Sequence, residues 1–374
     1  MKRRAWGWRL FAVVAALALA MGLAACGDDD ETGGTDTTST TGTSGAAPGA
    51  EVTLRLGYVT PAAHPYGVAI DQFVKDVTDV SGGKVAITTL PVYGGGNDLQ
   101  LLNDVRGGSV EMGSISTAVW GTQGVTSFDA LQAPFLITRY DLEREVIAGE
   151  IGAQMLEGVA ELGLHGLAIH EGGLRKPLGA TKPLVSPADF RGAKIRSVES
   201  PILVAGLRAL GADPTPLPIG DVYNALRSGT VDGMEANLGL VQTFKFYEVA
   251  KFITANVNLW PFPTALVVNQ SVWDGLTAEQ QGWITEAADK VPGFSIDIFE
   301  APSDLVQTLC SEGVKFAAAT PQQLAALTEA AQPVLEQFSQ DPETAGYIEQ
   351  IQALKDALPA PPAPAPLPEG CAAE

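Results

Sequence analysis

Arg196 closes the apolar run Ala193-Lys194-Ile195-Arg196-Ser197-Val198, just ahead of a helix start at Pro201. In an α/β sheet, that end of a strand faces the ligand crevice. A guanidinium there keeps its proton at physiological pH, and its planar fork matches a carboxylate with two parallel hydrogen bonds. Each charge-assisted bond is worth roughly 1.5–3 kcal/mol net, so a single arginine can anchor a small acid. A structural ion pair with Glu199 or Asp232 is the alternative use of the same side chain. Catalytic signatures are missing. The histidines are His64, His165 and His170, and the last two, five apart on a strand-like segment, point to opposite faces and share no metal. The chain has no H-E-x-x-H, G-x-S-x-G, Walker A or G-x-G-x-x-G pattern. Asp28-Asp29-Asp30 lacks calcium-loop spacing. Asp189 and Glu199 would serve as an acid and base, but among 43 acidic residues such a pairing carries no signal. Neither enzyme activity nor any metal or cofactor is expected.

The chain that must position Arg196 has 374 residues, 46% of them hydrophobic and 18% charged, with a net charge of −20. It is too apolar for a disordered chain and long enough for two lobes. The acidic balance excludes nucleic acid and electrostatic docking on anionic lipid. Lys2, Arg3, Arg4 and Arg9 precede an apolar run from Leu10 to Ala20, the layout of an export signal. Leu23-Ala24-Ala25-Cys26 resembles a bacterial lipobox, so residues 1–25 are expected to be removed and Cys26 to carry lipid. A plain secretion signal with an incidental cysteine is the alternative. Processing takes the net charge from −20 to −24. Residues 27–50 hold no aromatic or basic residue and read, with Cys26, as a flexible acidic tether. Cys310 and Cys371 then remain as an even pair, either disulfide-bonded or free, with six prolines between Pro359 and Pro368.

Val52–Tyr58, Lys84–Leu90 and Val110–Ile115 read as strands, separated by helices at 67–80 and 97–106. This βαβαβ rhythm predicts a parallel sheet. Further strands are expected at Leu164–His170, Ala193–Val198, Val231–Glu235 and, interrupted by Pro261 and Pro263, within Leu259–Val268. Helices follow at 277–290, in an interrupted stretch over 292–311, and at 321–335. No Pro/Gly-rich linker divides residues 51–356, as though the chain crosses between lobes.

Gly57-Tyr58-Val59-Thr60-Pro61, His64-Pro65 and Ser81-Gly82-Gly83-Lys84 are similar to the solute-binding proteins of tripartite ATP-independent periplasmic (TRAP) transporters. Ser186-Pro187-Ala188-Asp189-Phe190-Arg191-Gly192-Ala193-Lys194-Ile195-Arg196 resembles their "tPeDlkGlKiR" signature. Asp221-Val222-Tyr223-Asn224-Ala225-Leu226, Gly229-Thr230-Val231-Asp232-Gly233 and Phe246-Tyr247-Glu248-Val249 follow in family order, so the resemblance covers about residues 51–340.

The resemblance implies an α/β, two-lobe periplasmic-binding-protein-like fold with crossing strands and a long helix spanning both lobes. Lobe I would take about 51–172 and 262–300, lobe II about 173–261 and 301–356, leaving 357–374 as a Pro-rich tail. It implies that Arg196 pairs with a ligand carboxylate and that Arg175 is the family's second arginine. The family's "VDGxEN" motif departs here, because Glu235 is followed by Ala236 and only then by Asn237. Tyr58, His64, Tyr66, Ser116, Thr117, Trp260 and Phe262 would lie near the cleft in such a fold. For Trp260 and Phe262 core packing competes with stacking on a ligand, and for His64 a hinge role competes with ligand contact. The function implied is a monomeric, lipid-anchored extracytoplasmic protein that captures a small organic acid and delivers it to the membrane subunits of a TRAP permease. A binding protein of an ATP-driven (ABC) importer and an exported carboxylate-processing enzyme are the competing readings.

Overall fold

The computed structural model describes residues 49–301, 303–360 and 370–373. The export signal, Cys26, the tether through residue 48 and most of the Pro-rich tail lie outside them. Period-2 segments become β1 (Val52–Gly57), β2 (Val85–Leu90), β3 (Met112–Ser116) and β4 (Leu164–His170). After them come β5 (Lys176–Gly179), β6 (Lys194–Ser197), β7 (Asp213–Pro216), β8 (Gly233–Ala236), β9 (Phe252–Thr254), β10 (Thr264–Asn269) and β11 (Lys315–Ala317). One sheet has the order β2-β1-β3-β10-β4 and the other β11-β9-β5-β8-β6-β7, one per lobe.

The sheets are mixed, not parallel as the rhythm predicted. β1 runs parallel to β2 and β3, but β10 is antiparallel to β3 and β4. β5 is likewise antiparallel to β8 and β9. Both reversed strands are those by which the chain enters a lobe from the other one, so each meets its sheet from the opposite side. β7 carries no strand pattern because its four residues include two prolines; at a sheet edge the missing amide donors are tolerated.

The helix Pro65–Ser81 starts at His64 and stops at Gly82, whose φ of 60° suits a residue without Cβ. It packs on the helices Ala278–Ala288 and Val291–Glu300. The stretch read as interrupted over 292–311 holds two helices, preceded by a third. Ala278–Ala288 and Val291–Glu300 pack on lobe I, whereas Leu305–Ser311 packs on the lobe II helix Leu238–Thr243. Helix Pro321–Phe338 then lies on Pro201–Ala209, and the last helix, Pro342–Ala357, returns to pack on 127–132 and Tyr140–Ile147 of lobe I. The stretch 301–356 thus makes contacts with elements of both lobes.

A continuous apolar core runs from sheet one through Trp120, Trp260 and Leu203 to Leu327 and Val334. A second core, with Val222, Phe246 and Phe316, covers the far face of sheet two. Cys310 and Cys371 are joined, with Cα atoms 5.7 Å apart. The amide of Phe316 donates to the Cys371 carbonyl (2.7 Å) and that of Ala373 to the Phe316 carbonyl (2.9 Å), so the C-terminus extends the edge of sheet two.

Candidate ligand-binding site

Two neighbouring segments, 171–175 and 259–263, carry the chain between the lobes. The amide of Arg175 donates to the Trp260 carbonyl (2.8 Å) and that of Leu259 to the Arg175 carbonyl (2.8 Å). Gly172 permits the approach, because a Cβ there would stand 2.4 Å from the Phe262 carbonyl oxygen. The Arg175 guanidinium is thereby fixed at the hinge, 3.8 Å above the Phe262 ring, where the π face holds the cation.

Arg196 projects from β6 and Glu235 from β8. Glu235 lies between the two arginines, 3.4 Å from Arg175 Nη1 and 3.7 Å from Arg196 Nη1. Each of the three residues is exposed by 2% or less. The fork of Arg196 is partly committed, since Nε and Nη2 both donate to the Leu217 carbonyl, at 2.9 and 2.7 Å. Its open arm is Nη1. That atom, Arg175 Nε and both Glu235 carboxylate oxygens have no hydrogen-bond partner among the described residues. Each buried charged group left unmet costs roughly 1–3 kcal/mol or more. Burial pushes Arg196 down to about 10, with Glu235 opposing, and lowers Arg175 likewise, yet both remain cations at neutral pH. Burial raises Glu235, and the two arginines pull it back.

Lobe I answers with Asp98. It lines, with Val119, Arg196, Glu199, Leu217 and Ile219, a residual cavity of about 20 Å³, room for a single water. Ser116 N donates to Asp98 Oδ1 at 2.9 Å. Burial pushes the Asp98 carboxyl up to about 6, while Arg196 and Arg175 pull it down. The cleft is shut at its lip, where a Cβ on Gly220 would stand 1.8 Å from the Gly95 carbonyl oxygen. Admitting a small acid requires the lobes to separate.

His64 bridges the lobes. Its Nδ1 accepts from the Tyr66 amide (3.1 Å), so Nε2 carries the proton and donates to Asn237 Oδ1 at 3.3 Å. Burial pushes His64 down to about 3, keeping it neutral. Asn237 Oδ1 also accepts from the Leu240 amide (2.8 Å), and Nδ2 donates to the Gly172 carbonyl (2.6 Å). Asn237 therefore caps a helix and ties the hinge, which accounts for its displacement by one place behind Ala236, itself paired to Lys176 in the sheet.

Under the cleft, the Tyr66 hydroxyl donates to Ser114 O at 2.6 Å, and Ser114 Oγ and Thr264 Oγ1 reach His170 Nε2 at 2.6 and 2.7 Å. His165 lies apart, stacked on Trp273 at 4.0 Å. Ser116 Oγ accepts from the Ala118 amide and Thr117 Oγ1 donates to the Pro263 carbonyl, so both hydroxyls are used locally. The Trp260 ring packs beside Gly206, and Tyr58 is buried with its hydroxyl pushed up to about 12 by burial. Of the residues read from sequence, Arg175, Arg196, Glu235 and Phe262 gather at one point, with His64 and Asn237 beside them. Asp98 was missed, hidden behind Asn97, which reads as a helix cap; the signal available was an acid two places after the Gly94-Gly95-Gly96 loop.

The sequence pattern described as "Bacterial extracellular solute-binding protein, family 7" matches residues 56–341. The chain belongs to this family. Its relatives include the 2,3-diketo-L-gulonate-binding periplasmic protein of Escherichia coli, 29% identical over 242 residues (64% of this chain, 73% of the relative). The C4-dicarboxylate-binding periplasmic protein of Rhodobacter capsulatus is 28% identical over 291 residues (77% of this chain, 87% of the relative). Among solved structures, the sugar acid binding protein of Advenella mimigardefordensis in complex with galactonate superposes with a TM-score of 0.76 at 26% identity, covering 82% of this chain and 98% of that one. A TRAP periplasmic solute binding protein of Sulfurospirillum deleyianum with bound succinate gives 0.74 at 26% identity, covering 82% and 99%. The chain is a two-lobe α/β protein of the TRAP solute-binding type, a family of transport proteins.

Proposed function

We propose that this protein captures a small organic acid outside the cytoplasm, between two closing lobes, and hands it to the membrane permease of a TRAP transporter. The observation that carries the reading is the buried Arg175–Glu235–Arg196 cluster with its unpartnered donors, of which Arg196 lines the cavity between the lobes. A carboxylate entering the open cleft meets Arg196 Nη1 and Arg175 Nε and repairs both deficits at once. Because those groups are fully enclosed only when the lobes meet, the ligand favours the closed state. The excess of acidic residues does not oppose this, since charges beyond about 8 Å are largely screened at physiological salt while guanidiniums in contact are not. Binding without turnover is expected, and no step requires a metal or cofactor.

Anchoring through a lipid on Cys26 fits the Leu23-Ala24-Ala25-Cys26 motif and the acidic tether behind it, and it would hold a monomeric binding domain beside its permease. Among the described residues no helix is long and apolar enough to cross a membrane.

A thermal-shift screen of mono-, di-, keto-, sugar and aromatic acids tests the reading. A ligand at about 100 times its dissociation constant adds about 2.7 kcal/mol of stability. No shift with any of these acids would overturn it.

A further inference from the structure

We infer that Asp98 determines the ligand's second functional group, admitting a hydroxyl and rejecting a second carboxylate. The inference rests on the reading that Arg196 and Arg175 hold the first carboxylate. It comes from what is left in the cleft once that carboxylate is placed. The protein contributes two cations there, Arg175 and Arg196, and sets Glu235 between them. From lobe I, Asp98 faces Arg196 across the residual cavity, with Glu199 on the lobe II wall. One Asp98 oxygen is taken by the Ser116 amide, leaving the other without a hydrogen-bond donor among the described residues. Both Glu235 oxygens lack a donor as well. The groups still unmet after a first carboxylate docks on the guanidiniums are therefore mainly carboxylate oxygens, which only accept.

A ligand hydroxyl donates to these oxygens and turns each deficit into a charge-assisted bond. A second ligand carboxylate sets acceptor against acceptor, and adds a negative charge where the two cations already face two acids and the first carboxylate. A site built to hydrogen-bond one group discriminates strongly against an analogue that leaves its buried polar atoms unpaired.

The test compares length-matched pairs by isothermal titration calorimetry on the intact protein: erythronate against succinate, and gluconate against glucarate. The wild type should bind the polyhydroxy monoacid of a pair at least tenfold more tightly than the diacid. Asp98→Asn keeps an oxygen for the Ser116 amide and supplies an N–H donor, so the preference should shrink at least fivefold, mainly through tighter diacid binding. Asp98→Glu keeps the carboxylate and should keep the preference. A diacid bound as tightly as its monoacid by the wild type, or a ratio unmoved by Asp98→Asn, overturns the role of Asp98 while leaving the arginine site standing. Failure of every organic acid to bind overturns both.

Discussion

Two clusters of buried charge lie on either side of the hinge, and they resolve the same difficulty in opposite ways. In the cleft, Glu235 sits between Arg175 and Arg196. Behind the hinge, Glu143 of helix Tyr140–Ile147 and Glu171 of the first crossover are equally buried. Neither Glu143 oxygen has a hydrogen-bond partner among the described residues, and Glu171 has one oxygen bonded to the Gly173 amide and one without a partner. Burial drives Glu143 well above the usual carboxylate range, and the neighbouring Glu171 charge adds to it. Glu171 is raised too, by burial, with its neighbours holding it back. Carboxyl groups relieve burial by keeping a proton, so this pair is self-sufficient. Guanidiniums cannot lose theirs, so Arg196 Nη1 and Arg175 Nε stay as donors without an acceptor among the described residues. The sign of a buried charge, more than its burial, makes the cleft cluster the candidate ligand site.

The contrast breaks most visibly at Arg196. Arg196→Lys removes the open Nη1 arm and the two bonds to the Leu217 carbonyl, since a point charge cannot reproduce the fork. Acid affinity should fall about 100-fold or more, equivalent to about 2.7 kcal/mol. Titration of a variant that still melts cooperatively is the check, and an unchanged dissociation constant would remove Arg196 from the site.

A smaller effect is expected at the lip. Gly220→Ala places a methyl against the Gly95 carbonyl, a clash that exists only when the lobes are closed. Affinity should drop about tenfold, with the ligand-free melting temperature nearly unchanged and a larger radius of gyration in solution scattering. Wild-type affinity would show that the lip does not need to shut.

The smallest change belongs to the self-sufficient pair. A carboxyl whose folded pKa is raised loses stabilising effect as pH climbs from its unfolded value, near 4.5, through the folded one. Glu143→Gln keeps the shape and removes that loss. It should match the wild type at pH 4 and be more stable by roughly 1 kcal/mol at pH 8, a size typical of single substitutions. Denaturant curves at both pH values decide it, and ligand affinity should not move. Equal stability at pH 8 would mean that Glu143 holds no proton.

Much of this architecture is legible in local pattern. Leu164–His170 alternates and forms β4 over the same residues, Asn97 caps its helix as its type implies, and the ordered motifs around 186–196 and 229–233 lead to Arg196 and Glu235. Such features depend on periodicity within one element or on short-range capping. Strands β9 and β11, three residues each, are too short to display a period.

What the sequence determined by itself is therefore the set of principal elements, the family, two arginines as candidates for the site and the absence of any catalytic signature. Tertiary structure alone decided that β5 and β10 run backwards, that Asn237 ties the hinge through His64 and Gly172, and that Asp98 confronts Arg196. Those relations join residues separated by tens to more than a hundred positions. They depend on how two crossovers bring separate lobes face to face, which no local spacing encodes.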